Sequence, residues 1–488
     1  MNILFIYSIQ KSIIQEKPLK GQEDIQLGIA QLSSVLKNSG HQTDLLVLDR
    51  KYGRQNYSML EKKIQEKSYG IVCYSSVYSE YDFIETMAQY VRDRHHVFAV
   101  LGGVHVTVSP DIRYLDIFDA LCIGEGEFAL TELARRLERN EDITQIANLW
   151  MKKDGRVIQN ETREFIQDLD RLPFVDRDIW QSLIFEPNSR LTVLLGRGCP
   201  YNCTYCCNHI IKKVASGKYV RMRSSKNIIA ELNYLTGRFP SITEYFLEVE
   251  TLGADIPWLL ELCDELYELN CTREKKLTFG ANLRVYDTLD FELIFKSLKK
   301  ANFGSVIIGL ESGNERIRKE ILNRYYSNDT VVRAVNTARK YGVKVGMFNL
   351  VGLPTESYND FLDTLKLNQE LQPDWHATSI FFPYKGTRLH EMCEALGLLK
   401  GKISFKDERQ YAVMDLPNFS KRKIQQQFDS FHYNVYRKRK NKSMLKLCLY
   451  ALQIFVGHSF MANMKSRLTV MLYRLGIRFN MLNIIQKE

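Results

Sequence analysis

The sequence predicts an α/β fold. A doubly wound, Rossmann-like parallel sheet comes first, then a partial (β/α)6 TIM-like barrel, then a mostly helical C-terminal region. Three observations predict it. Apolar runs of strand length alternate with helically spaced stretches up to about residue 384, the pattern of strand–helix units that build a parallel sheet. An irregular interval around Pro173 splits the series into five runs and then six. Beyond about residue 400 the strand-like runs give way to helical periodicity. The domains are accordingly expected at 1–145, 191–400 and 401–488, with a hairpin and linker at 146–190.

In the first domain the strands are expected at "NILFIYS", "TDLLVLD", "GIVCYSS", "VFAVLGG" and "DALCIGEGE". Between the first two, "LGIAQLSSVLKNSG" has helical spacing and stops at Gly40. A doubly wound sheet binds ligands beyond its strand C-termini. Ser75 and Ser76 follow the third strand, Gly102, Gly103 and His105 the fourth, and Gly124, Glu125, Gly126 and Glu127 the fifth. Glycines there let a backbone approach a ligand closely, and hydroxyls and imidazole supply hydrogen bonds, so a large flat cofactor is expected. "GEGEFA" also matches the dinucleotide fingerprint G-x-G-x-x-G/A. That motif belongs on the first strand and offers backbone amides to a pyrophosphate, whereas Glu125 and Glu127 would set carboxylates beside it, so a nicotinamide cofactor is not expected.

"ANLWMKKDGRVIQN" reads as a hairpin turning at Asp154-Gly155, and "DLDRLPFVDRDIW" as an irregular linker. The six later strands are "LTVLL", "EYFLEVE", "LTFGANL", "SVIIGLES", "KVGMFNLVGLP" and "ATSIFFPY". Directly after the first of these, in "LLGRGCPYNCTYCCN", Cys199, Cys203 and Cys206 fall at C-x3-C-x2-C spacing. Such a loop can wrap three thiolates around one metal centre. Structural zinc and ordinary 4Fe-4S sites take four protein ligands, so three point to a centre with a position open for chemistry. A zinc knuckle or a set of buried thiols is the plainer reading, and Cys207 reads as a packed or spare thiol.

C-x3-C-x-aromatic-C, with Tyr205 as the aromatic, resembles the signature loop of the radical S-adenosylmethionine (SAM) enzymes. The resemblance implies a 4Fe-4S cluster on Cys199, Cys203 and Cys206, with the amino and carboxylate groups of SAM on the fourth iron. It extends to several strand ends. "VIIGLESG" puts Gly309, Glu311 and Ser312 beside SAM, and "YFLEVE" puts Glu248 and Glu250 near the methionine amino group. "FGANLRVYD" supplies Asn282 and Arg284, and Gly352, Leu353, Pro354 and Glu356 resemble the family's G-L-P-x-E turn. Carboxylates suit an ammonium and Arg a carboxylate, as a zwitterion requires. "PYKGTRLHEM", with Gly386, resembles the P-x-x-G-T segment that closes the core.

"LGIAQLSSVLKNSGHQTDLLVLD", "LGGVHVT" and "CIGEGE" together resemble the cobalamin-binding domain of the B12-dependent, class B branch. This implies cobalamin contacts from Ser75, Ser76, Gly102, Gly103, Gly124, Glu125, Gly126 and Glu127, with His105 touching the corrin or its tail. One departure is plain: the D-x-H-x-x-G motif of other cobalamin domains is missing, and residues 8 to 26 contain no His. No lower axial His is therefore expected from that loop. The implied activity is methylation of an unactivated carbon through a 5′-deoxyadenosyl radical and methylcobalamin, fed by an external electron donor such as flavodoxin or ferredoxin. A cyclisation or rearrangement without methyl transfer, and a sensor without turnover, remain open. A tRNA methylthiotransferase would need cysteines for a second cluster in the first domain, and residues 1 to 190 hold only Cys73 and Cys122.

At 488 residues, 45% hydrophobic and 25% charged, the chain has the composition of a folded, multidomain protein. Met1 opens into an apolar strand without a basic leader, and the ten cysteines show no disulfide framework, so a reducing, cytoplasmic setting is expected. The net charge of +10 is uneven: residues 421–488 hold fourteen Lys and Arg against Asp429 and Glu488, or +12, leaving −2 for the rest. No nucleic-acid partner is expected. "YRKRKNKSMLKLCLYALQIFVGHSF" joins a basic cluster to an apolar segment interrupted by Lys446, Gln453 and His458, which suits a packed amphipathic helix or peripheral membrane contact better than a membrane span. The substrate, whether small molecule, lipid or peptide, is not encoded in any pattern found.

Overall fold

The computed structural model describes residues 1–400, 403, 408–439, 444–456 and 464. They fall into two compact units. The first comprises Met1–Asn202, Cys206–Glu250 and Lys385–Thr387; the second comprises Cys203–Tyr205, Thr251–Tyr384 and the described residues from Arg388 onward.

The first unit is built on β1 (Asn2–Ile9), β2 (Gln42–Asp49), β3 (Tyr69–Ser75), β4 (Phe98–Gly102) and β5 (Ala120–Cys122), parallel in the order β2-β1-β3-β4-β5. Strand β1 shows why both faces are covered. Ile3 and Phe5 pack into one cluster with the helices Leu27–Asn38 and Glu127–Glu138, while Leu4 and Ile6 pack into the other with Gln55–Gln65 and Tyr81–Arg92. Each such side chain contributes about 1.5–3 kcal/mol on burial. The expected hairpin, β6 (Leu149–Lys153) and β7 (Arg156–Gln159), extends this sheet antiparallel from β5, so it belongs to the first sheet and not to a free linker. Asp154 and Gly155 turn it at φ 51° and 73°, as an Asp-Gly turn requires.

Because the chain leaves β1 for β2 on one side and returns to β3 on the other, the crevice of this sheet opens beyond the ends of β1 and β3. Two further strands of the first unit, β8 (Leu191–Leu194) and β9 (Glu244–Glu248), pair in parallel around the helix Ser225–Arg238, which Ser224 caps through the Asn227 N–H.

In the second unit β10 (Thr278–Leu283), β11 (Phe303–Glu311), β12 (Lys344–Val351) and β13 (Trp375–Ile380) run parallel in that order. The helices between them start at side-chain caps from Asp290, Ser327 and Ser357, each worth roughly 1 kcal/mol. The helix Lys421–Tyr436 presents Ile424, Phe428, Phe431 and Val435 to a core that includes Val351, Leu353 and Phe361. Among the described residues no helix is long and apolar enough to cross a membrane. The basic residues Lys440 and Lys442 and the stretch 457–460, on which the expected peripheral contact also rests, lie outside the described residues.

Gly103, at the end of β4, has φ +97°, and a Cβ there would stand 2.8 Å from the Ser76 carbonyl oxygen and 3.0 Å from its nitrogen. Gly103→Ala is expected to destabilise the first unit by roughly 1–3 kcal/mol, read as a lower midpoint in urea denaturation, with Gly40→Ala, whose Cβ would meet nothing within 4 Å, as the comparison for φ strain alone.

Candidate functional site

In the first unit the cysteine loop leaves β8 through a tight two-stranded pairing, Gly196–Arg197 against Arg221–Met222. Gly198 follows at φ +87°, its Cα pressed against the Tyr219 carbonyl so that no side chain fits. Cys199 and Cys206 are both half-buried. The Cys206 sulfur accepts a hydrogen bond from Asn208 Nδ2 at 3.4 Å, and the Tyr219 hydroxyl donates to Asn208 Oδ1. The Cys207 thiol hydrogen-bonds to Cys206 and, with Asn208, pulls it down to about 6 against the opposing effect of burial, while Cys207 itself is driven upward. Of the two adjacent cysteines, Cys206 is the one whose hydrogen bonds favour the thiolate. Glu248 ends β9 half-buried, its carbonyl accepting from Leu195 N at 2.8 Å. Glu250 is exposed at the surface, yet its carboxyl lies in a protein-lined recess that raises its pKa, with Asn208 pulling the other way.

In the second unit Cys203 is 7% exposed and its sulfur accepts from Arg284 Nη1 at 2.9 Å. The resemblance placed Arg284 at the SAM carboxylate; the structure gives one of its donors to a cysteine sulfur. The Tyr205 hydroxyl donates to Glu311 Oε1 at 3.0 Å, and Arg324 Nη1 donates to the Tyr205 oxygen at 2.9 Å and approaches Glu311 Oε1 at 3.4 Å. Arg324 Nη2 and the Tyr326 hydroxyl both donate to the Gly309 carbonyl, at 2.6 and 2.9 Å. Burial pushes Glu311 up, and Arg324 followed by Tyr205 holds it back. Glu311 also sits at φ +63°, a strain of about 1–3 kcal/mol for a side-chain-bearing residue. Gly309 must be Gly in this packing, since a Cβ would lie 2.6 Å from Glu311 Oε1. Arg324 and Tyr326, in the patternless stretch "NRYYSND", escaped the sequence reading.

The other expected residues differ in burial and partners. Ser312 is fully buried, its Oγ accepting from Asn314 N at 3.2 Å and meeting Thr364 Oγ1 at 3.4 Å. Asn282 lies half-buried in β10. Glu356 closes its own turn by accepting from Gly352 N and Leu353 N at 2.7 and 3.1 Å, which explains the G-L-P-x-E spacing. Burial raises that carboxyl to about 8. Gly386, at φ +87°, packs its Cα toward Val108 within the first unit.

At the strand ends of the first sheet, Gly103 N-caps the short helix Val104–Val108, and Ser76 N and O pair with Gly102 O and His105 N at 3.2 Å. Ser75 is half-buried and Ser76 is buried, with its Oγ donating to the Val77 carbonyl. Gly124, at φ +82°, takes the Thr107 hydroxyl on its N–H at 3.1 Å, and Gly126 packs beside Cys122. Three of the expected residues are engaged by protein groups. His105 is 5% exposed among Tyr78, Tyr81 and Tyr114, with Nε2 3.0 Å from the Tyr114 hydroxyl. Burial and then Lys385 lower it to about 4, which keeps the ring neutral among these tyrosines. Glu125 and Glu127 are taken by Arg197 and Arg221: Glu125 at 2.9 and 3.0 Å, Glu127 at 2.6 Å. Two atoms that the sequence reading missed lie at the crevice end of the sheet: Ser8 Oγ and Glu80 Oε2 are buried without a partner.

Comparison with known proteins matches residues 193–367 to the radical SAM superfamily and residues 21–134 to the B12 binding domain. An uncharacterized methyltransferase of Pyrococcus horikoshii is 27% identical over 459 residues, spanning 90% of this chain and 93% of that one. The anaerobic magnesium-protoporphyrin IX monomethyl ester cyclase of Cereibacter sphaeroides is 23% identical over 378 residues, covering 74% of this chain and 59% of its own. Among solved structures, the cobalamin-dependent radical enzyme OxsB with aqua-cobalamin bound shares the fold over 97% of this chain and 76% of its own, with TM-score 0.68 and 14% identity. The radical SAM methyltransferase TsrM of Kitasatospora setae does so over 82% and 76%, with TM-score 0.61 and 17% identity.

The residues present fit both metal-bearing groups. Cys203 and Cys206 sulfurs each accept from a donor, and the hydrogen bonds on Cys206 lower its pKa, in the direction that suits a thiolate ligand. Among the described residues no group of three His, Cys, Asp or Glu side chains is arranged to hold a metal ion. Ser8 and Glu80 leave a buried hydroxyl and carboxylate oxygen to pair with the polar rim of a large cofactor.

Two outcomes test this description. Arg324→Gln leaves the Glu311 carboxylate buried without its cation and is expected to cost about 3–5 kcal/mol, measured by chemical denaturation. For Glu356 the folded value of about 8 lies above the ordinary 4.5, so the folded state holds its proton longer than the unfolded one. Stability should therefore fall as pH rises from about 4.5 to 8 and then level off. Glu356→Gln should flatten that slope in urea midpoints taken at pH 5, 6.5 and 8.

Proposed function

As a member of the B12-binding-domain radical SAM family, a cobalamin-dependent radical SAM enzyme whose cofactors are a 4Fe-4S cluster, SAM and cobalamin, the chain is, we propose, a methyltransferase acting on an unactivated carbon. The observation that carries the reading is the end-to-end likeness to a relative named as a methyltransferase, over 93% of that relative. When bound, these groups supply one-electron cleavage of SAM, a 5′-deoxyadenosyl radical and a transferable methyl group.

The chain's own residues bind and position. Cys199, Cys203 and Cys206 would hold the cluster through their sulfurs. Glu248 and Glu250 stand where a carboxylate can take the ammonium of SAM, and Asn282 and Arg284 where they can take polar groups of the same ligand. Glu311 is fixed at the end of β11 by Tyr205 and Arg324, so its carboxylate does not reorganise when SAM enters. Gly102, Gly103, Gly124 and Gly126, with Ser75 and Ser76, give the corrin a flat backbone approach at the ends of β3, β4 and β5. Hydrogen-atom transfer needs no basic side chain, so the protein's remaining work is to exclude water from the reacting carbon.

A second reading, ring closure without methyl transfer, is favoured by the likeness to the magnesium-protoporphyrin cyclase. Anaerobic reconstitution with hydroxocobalamin, dithionite and SAM carrying a trideuterated methyl group separates the two. Methylation places the label in product; cyclisation forms 5′-deoxyadenosine with unlabelled product. Cys203→Ala is expected to lose the brown 4Fe-4S absorbance and all SAM cleavage, whereas Cys207→Ser keeps the cluster. Corrinoid-free protein with full iron would sink the methyltransferase reading.

A further inference from the structure

We propose that Glu125 and Glu127 are positioning residues of the cysteine loop: through Arg197 and Arg221 they fix where the chain enters Cys199 and how Asn208 meets Cys206. This rests on the assignment of Cys199, Cys203 and Cys206 to the cluster, not on methyl transfer.

The brace lies wholly within the first unit. Arg197 spans both carboxylates, Nη1 to Glu125 Oε1 at 2.9 Å and Nη2 to Glu127 Oε1 at 2.6 Å. Arg221 Nη1 meets both oxygens of Glu125 at 3.0 Å, and Glu125 Oε2 also accepts from Ile166 N at 2.8 Å. Side-chain exposure is 18% for Arg197 and Glu125, 5% for Glu127 and 3% for Arg221. Burial works against the Arg197 charge and Glu127 with Glu125 more than offsets it; Arg221, with Glu125 alone, is lowered by burial. Both stay charged, because arginine's ordinary value lies far above neutrality. Buried charges of this kind are tolerated only when each is fully paired, and a planar guanidinium then fixes orientation as well as distance.

Two paths run from the brace to the cysteines. The first is covalent. Arg197 stands two residues before Cys199, its strand is paired to Arg221–Met222, and Gly198 is wedged against Tyr219. The second is hydrogen-bonded: Arg221 Nε donates to the Tyr219 carbonyl at 3.1 Å, the Tyr219 hydroxyl to Asn208 Oδ1, and Asn208 Nδ2 to the Cys206 sulfur at 3.4 Å. A donor on a ligand sulfur stabilises the more negative, reduced cluster, so its loss lowers the potential.

The test uses the full-length protein, reconstituted anaerobically, with Tyr219→Phe, Glu127→Gln and Arg197→Lys beside the parent and Cys203→Ala. Tyr219→Phe is expected to keep the parent's iron and circular dichroism while moving the cluster midpoint potential negative and altering the reduced-state EPR signal. Glu127→Gln and Arg197→Lys are expected to lose iron to a chelator several-fold faster than the parent and to bind hydroxocobalamin with the parent's affinity. Parent-like potential, EPR signal and chelator rate in all three variants would overturn the proposal. So would a Glu127→Gln variant whose only defect is weaker hydroxocobalamin binding, which would return that carboxylate to the corrin. If Cys203→Ala keeps its cluster, the ligand assignment itself fails and the brace with it.

Discussion

Buried carboxylates paired with buried arginines are the interaction on which this structure most depends. Taking a charge out of water costs several kcal/mol even after relaxation, and only a partner with complete hydrogen bonding offsets it. The chain meets that condition twice at its functional loops. In the first unit Arg197 and Arg221 enclose Glu125 and reach Glu127; in the second, Arg324 and Tyr205 enclose Glu311. Neither pair is needed to bury apolar surface. Both join a strand end to the cysteine loop within their own unit, so the charge is spent on orientation.

Backbone geometry carries the same logic. A loop that must turn sharply and still press against a neighbouring strand has no room for side chains, which is why Gly198 and Gly103 each combine positive φ with contact closer than a Cβ permits. Glu311 also adopts positive φ, at +63°, although it carries a side chain. The Tyr205 hydroxyl and Arg324 Nη1 meet its Oε1, and Arg324 is itself anchored by donating Nη2 to the Gly309 carbonyl.

What could be read from the sequence follows from the range of the interactions. Strand and helix alternation is local, and so is the Asp154-Gly155 turn; each needs only neighbours along the chain. The cysteine spacing is equally local. Glu125 and Arg197 are 72 residues apart, and Arg221 and Glu125 are 96 apart, so "GEGE" looked like a ligand loop when its acids are tied to a distant strand pairing. The surroundings of His105 were hidden for a related reason. Its position at a strand end was right, but Tyr78, Tyr81 and Tyr114 come from other segments and close around the ring. Arg324 was invisible because nothing in its own stretch marks it.

The surroundings of the cysteine sulfurs define what the protein itself contributes to chemistry that its cofactors perform. Arg284 on Cys203 and Asn208 on Cys206 each point an N–H at sulfur, an arrangement that steadies negative charge there. Cys207 differs: its thiol donates to Cys206 and is itself driven upward, which keeps the proton on the sulfur outside the C-x3-C-x2-C spacing. Asn208 and Cys207 thus both direct their hydrogen bonds at the Cys206 sulfur, the one that falls within the C-x3-C-x2-C spacing.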